Sequence, residues 1–259
     1  MSDLFAILFL AQTSFSPPAV PPQTLHALLM CATNDKPLCI REIVESGVSV
    51  EADWNEDTPL MSAAKAGATN AIRELVALGA DIEATSPTGT PLAYAAWQGR
   101  EAAVRLLLDL GARVNPPPGG HGRAPLLYAA SGGPPSVLRL LIEAGADVNY
   151  TESFDNSPLY VAACQGASDK VKLLISAGAK INVRNYEGST PLICAASKSR
   201  STVGILLEAG ADPDAVDNNG DCAWSKASEI EARFKKSFGV LDLLKGYEAI
   251  RCKENAPAQ

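Results

Sequence analysis

The stretch "LGADIEATSPTGTPLAYAAWQG", residues 78–99, decides the fold, because both halves of it recur along the chain. Its first phrase returns as "SGVSVEA" (46–52), "LGARVNP" (110–116), "AGADVNY" (144–150), "AGAKINV" (177–183) and "AGADPDA" (209–215). The glycines of these phrases, Gly47, Gly79, Gly111, Gly145, Gly178 and Gly210, stand 32, 32, 34, 33 and 32 residues apart. The second phrase, from Thr90, returns as "TPLMSAA" from Thr58, "APLLYAA" from Ala124, "SPLYVAA" from Ser157 and "TPLICAA" from Thr190. Two independent phrases that keep one period mark a protein built by stacking similar small units.

The letters of one unit dictate its shape. A Thr-Pro pair starts a helix: the hydroxyl accepts from an orphan N–H, and proline sits in the first turn, where its missing donor costs nothing. The helix opened by Thr90 runs through Leu92, Ala95 and Ala96, a stripe with two small residues that lets another helix come close, and it stops at Gly99. A second amphipathic segment, "EAAVRLLLDL" (101–110), places Val104, Leu107 and Leu108 on one face and ends at Gly111, a left-handed C-terminal glycine. Two antiparallel helices follow. The alternation in "ARVN" (112–115) and the turn-forming residues beyond it predict an extended segment and a turn into the next pair.

These paired phrases resemble the ankyrin-repeat family over about residues 23–250. The resemblance implies an all-α solenoid of helix pairs with short β-hairpin fingers, curved by a small rotation per repeat. Five full repeats are expected, at 53–84, 85–117, 118–150, 151–183 and 184–215. A capping unit over 23–52 lacks the Thr-Pro start, and in a second cap over 216–250 Cys222-Ala223 replaces it. The third repeat has an enlarged finger, "PPPGGHGR" (116–123), and the fifth is one residue shorter between its helices. Residues 1–22 read as a loosely packed leader closed by the proline-rich "SPPAVPPQ" (16–23), and 251–259 as a disordered tail.

With 29 acidic against 22 basic residues the net charge is −7, which argues against a nucleic acid or an anionic membrane as partner. No H-E-x-x-H, G-x-x-x-x-G-K, G-x-S-x-G or G-x-G-x-x-G is present, so no catalytic residue, cofactor or metal is assigned and the chain reads as a non-enzyme. The histidines His26 and His121 are far apart. "DNNGD" (217–221) lacks the spaced acids of a calcium loop and reads as a turn. "RFKKSF" (233–238) reads as the solvated face of the cap. Six cysteines without a C-x-x-C are expected as reduced thiols, with Cys194 at a core position, and the expected location is the cytoplasm. The apolar run Leu4–Ala11, preceded by Asp3, leaves export as the alternative.

Trp97 raises the question of function. At about 100° per residue it falls about 140° from Leu92, well off the packing stripe. The equivalent positions hold Lys65, Ser131, Cys164 and Ser197, which is no uniform core site. The family resemblance implies that this position, its successor and the finger tips face the partner. Its candidates on the helices are Trp97, Gln98, Cys164, Gln165 and Lys198; those on the fingers are Trp54, His121, Arg123, Phe154, Tyr186 and Glu187. The partner is expected to be a protein domain or an extended peptide bound by a protein that is monomeric by itself, or else an enzyme that this chain regulates or inhibits. The resemblance also marks Asn115, Asn149 and Asn182 as candidate hydroxylation sites.

Overall fold

The computed structural model describes residues 22–53, 57–116, 124–152, 154–234 and 239–247. Over them the chain forms helix pairs: α1 (Pro22–Thr33) with α2 (Pro37–Glu45), α3 (Pro59–Ala66) with α4 (Thr69–Ala77), and α5 (Pro91–Trp97) with α6 (Glu101–Asp109). Then come α7 (Pro125–Ser131) with α8 (Pro135–Glu143), α9 (Pro158–Cys164) with α10 (Ser168–Ser176), α11 (Pro191–Ala195) with α12 (Arg200–Glu208), and α13 (Ala223–Phe234) with α14 (Val240–Gly246). Odd-numbered helices pack on one another in sequence, and so do even-numbered ones, giving an inner and an outer layer. Cys252 lies outside the described residues.

Local chemistry explains the inner helices. Thr58, Thr90, Ser157 and Thr190 each accept a hydrogen bond from the backbone N–H three residues on, with proline in the first turn. Each such cap contributes about 1 kcal/mol. The paired alanines of the phrase, Ala63-Ala64, Ala95-Ala96, Ala129-Ala130, Ala162-Ala163 and Ala195-Ala196, are all buried, so neighbouring helices meet backbone to backbone. On the outer layer Ile72, Leu75, Val104, Leu107, Leu138, Leu141, Val171, Leu174, Val203 and Leu206 are fully buried and extend one continuous core. Each contributes roughly 1.5–3 kcal/mol by leaving water. Gly111 closes α6 at φ +94°, a left-handed conformation that any side chain would strain.

Neighbouring units are also stitched by polar groups. The Asn115 side chain donates to the Gly145 carbonyl at 3.0 Å and accepts from Asp147 N–H at 2.8 Å. Asn149 does the same with Gly178 and Lys180, and Asn182 with Gly210 and Asp212. Glu51 and Glu83 accept the corresponding N–H groups of Asp81 and Arg113. Arg100 donates to the Lys65 carbonyl at the end of α3. Lys170, only 8% exposed, donates to the carbonyls of Ala129 and Ala130 at 2.9 Å near the end of α7. Both place a cation at the negative end of a helix.

Two expectations change. Among the described residues the fingers carry only isolated bridges, Ser86 to Gly89 and Val216 to Cys222, because each is too short to extend a ladder. The described cysteines are not reduced thiols: Cys31 pairs with Cys39, Cys164 with Cys194, and Cys222 is disulfide-bonded. A search for close spacing misses the second pair because its 30-residue separation is about one repeat. Stacking brings those two Cα atoms to 5.0 Å. Cys194 is accordingly only half-buried.

Candidate partner-binding surface

The position that holds Trp97 reaches across to the next unit. Lys65 Nζ lies 4.0 Å from the centroid of the Tyr94 ring and 2.5 Å from Asp57, so its charge is engaged twice. Trp97 packs against Tyr128 with ring centroids 6.2 Å apart and planes tilted by 52°. Cys164 is bonded to Cys194. The three pairs share one register: the eighth residue of the phrase touches the fifth of the following phrase. Sequence reasoning treated this column as solvent-facing, and the structure makes it partly a seam between repeats.

Trp97 serves both sides of that seam. It is 44% exposed, yet a Cβ placed on Gly132 would stand 2.6 Å from its Nε1, so glycine is needed for the indole to lie there. The fingers present the most exposed rings, Phe154 at 62% and Tyr186 at 73%. Their backbones are tied down: Tyr186 N–H donates to the Phe154 carbonyl at 3.0 Å, and Asn218 donates from its side chain to the Tyr186 carbonyl at 3.1 Å. Asn185 reaches Asn156 at 3.3 Å, and Asn218 N–H donates to the Glu187 carbonyl at 2.9 Å. The rings are thus free on a fixed frame.

Gln98, Gln165, Glu187 and Lys198 are exposed on the same helices and fingers. Cys164 is half-buried and covalently committed, so it offers no thiol to a partner. Trp54, His121 and Arg123 lie outside the described residues, as do Lys235 to Phe238 of the basic run. The three candidate asparagines are the bridges described above, a role that accounts for asparagine at those positions. In "DNNGD" the Asp217 carboxylate accepts from Asn219 and Asp221 N–H at 2.9 Å, closing a turn.

Sequence reasoning missed two features. Burial holds the Lys170 ammonium below the usual lysine range, and nothing in its sequence neighbourhood signals this. At the C-terminal end a groove of about 570 Å³ opens between the α11–α12 turn and the last helix pair, lined by Lys198, Arg200, Ile230, Arg233 and Phe234. Lys226 is held above its usual range by its hydrogen bond to Asp221 at 2.6 Å. Among the described residues no three His, Cys, Asp or Glu side chains converge as metal ligands, and no helix is long and apolar enough to cross a membrane.

A stack of helix pairs with projecting fingers defines a solenoid that meets other molecules along an extended surface. The family model described as "Ankyrin repeats (3 copies)" matches residues 28–118, 85–152 and 126–217, well over half of the chain, and the chain belongs to the ankyrin-repeat family. The crystal structure of the human ASB11 ankyrin repeat domain is similar in fold, with a TM-score of 0.73 and 24% identity over 84% of this chain and 96% of that one. Among curated proteins none matches the chain. Ankyrin repeats are general protein–protein interaction modules, typically without catalytic activity, and this chain is one.

Proposed function

We propose that the chain is a non-catalytic binding module that takes a partner protein or extended peptide along its inner helices and fingers, with the finger rings Phe154 and Tyr186 as anchors and Trp97 contributing its open edge. The observation that carries this reading is the exposure of those two rings on hydrogen-bonded fingers. Aromatic side chains of this kind are enriched at interface hot spots, and a frame already ordered loses little entropy on binding. Gln98, Gln165, Glu187 and Lys198 supply the polar rim. The test is affinity capture with the wild-type chain and a Phe154→Ala/Tyr186→Ala variant, after circular dichroism has established equal helicity. Loss of a partner from the variant alone supports the reading. Equal recovery of every captured protein by both would remove the finger rings from the interface.

A further inference from the structure

Disulfide-bonded cysteines stand in both terminal units and on the shortest inner helix. A terminal unit has one neighbour instead of two, so it opens first. Cys31–Cys39 closes the N-terminal unit by joining α1 to α2, and Cys222 stands at the start of α13 in the last pair. Cys164–Cys194 joins α9 to α11, and α11 is only five residues long. A helix that short closes few internal hydrogen bonds and depends on its neighbours. The cross-link falls in the register that elsewhere holds Lys65 on Tyr94 and Trp97 on Tyr128, so it replaces a non-covalent seam with a covalent one.

We propose that this protein works in an oxidising compartment, with the Cys164–Cys194 disulfide as a permanent clamp between two inner helices, in place of the cytoplasmic location expected from sequence. No cysteine among the described residues is free. Reducing compartments keep such pairs open, whereas exported proteins retain them. Closure follows thiol–disulfide exchange with a protein disulfide of the oxidoreductase class. A cysteine thiolate attacks the donor disulfide to give a mixed disulfide, and the second thiolate displaces the donor sulfur. Two electrons and the two thiol protons pass to the donor, which leaves as a dithiol.

The full-length chain is isolated from its source cells after acid quenching, blocked with N-ethylmaleimide under denaturing conditions, and digested without reductant. The expected result is one peptide pair linked through Cys164 and Cys194, with Cys31, Cys39, Cys164 and Cys194 unlabelled until reduction. Maleimide on those four cysteines before reduction would overturn the proposed compartment. The clamp is tested on the oxidised full-length protein by hydrogen exchange across 191–208, before and after phosphine reduction and in a Cys164→Ser/Cys194→Ser variant. Reduction should speed exchange there about tenfold or more in the wild type, the disulfide having constrained the open state. The same treatment should leave the serine variant, already fast, unchanged. Unaltered exchange in the reduced wild type refutes the clamp, and that measurement stands even if the variant fails to fold.

Discussion

Replacing Trp97 with alanine separates packing from partner contact. A tryptophan presents at most about 250 Å² of surface to bury. With 44% of it exposed, the covered part is roughly 140 Å², or about 3.5 kcal/mol at ~25 cal/mol per Å². The alanine methyl retains some of this, while the lost edge against Tyr128 adds about 0.5–1 kcal/mol. No closed cavity forms, because the site opens to water, so the further cost of an internal void does not arise. The expected loss is about 3–4 kcal/mol, one retained methyl offsetting about 0.8 kcal/mol of the sum. It should appear in urea unfolding followed by circular dichroism at unchanged m-value, and as a fall in Tm of roughly 5–10 °C. A loss below about 0.5 kcal/mol would mean that the indole does not pack on the next repeat. A loss near 5 kcal/mol would mean that it is a core residue with no edge to spare for a partner.

Gly132→Ala should cost about 1–3 kcal/mol by pushing the new methyl into the Trp97 indole, and the same change in a Trp97→Ala background should cost less; equal costs in the two backgrounds would show that the two positions are not coupled. Phe154→Ala and Tyr186→Ala should each change stability by less than about 0.5 kcal/mol in the same assay, since both rings are mostly in water. Asn149→Ala should cost about 1–2 kcal/mol through two lost inter-repeat hydrogen bonds, measurable as a shift of the urea midpoint. Lys170 predicts a pH dependence of definite sign. Its folded pKa lies below the unfolded value of 10.5, so between the two the unfolded chain holds more protons and stability rises with pH. Urea midpoints measured from about pH 7 to pH 10 should therefore rise more steeply for the wild type than for Lys170→Met; parallel profiles would contradict this.

What the sequence discloses depends on how far each side chain reaches. The caps at Thr58, Thr90, Ser157 and Thr190 are legible because a hydroxyl meets an N–H three residues away. The period then fixes the stacking, and the buried alanine pairs follow from it. The seam is not legible in this way. Whether Lys65, Trp97 or Cys164 faces water is decided by what the next repeat places opposite, about 30 residues on, and the column itself shows only mixed residue types. Lys170 is hidden for the same reason. It stands where Ala71, Ala103 and Val137 are buried, and its acceptors lie 40 and 41 residues earlier in the chain. The groove near Phe234 arises only when the last helix pair meets the α11–α12 turn.

The seam narrows where a partner can gain energy. Lys65 is spent on Asp57 and Tyr94, Cys164 on Cys194, and half of Trp97 on its neighbours. Along the described inner surface, the rings that fold stability does not claim are those of Phe154 and Tyr186. These rings sit on the fingers that lead into α9 and α11, the two helices joined by Cys164–Cys194. The clamp therefore fixes the spacing between the two anchors, on the reading proposed above. Reduction of the disulfide should then weaken partner capture more than Trp97→Ala does, because it loosens both anchors at once while Trp97→Ala removes one edge. Measured with the partner recovered by the wild type, the opposite order would assign the binding surface to the middle of the stack instead of its C-terminal third.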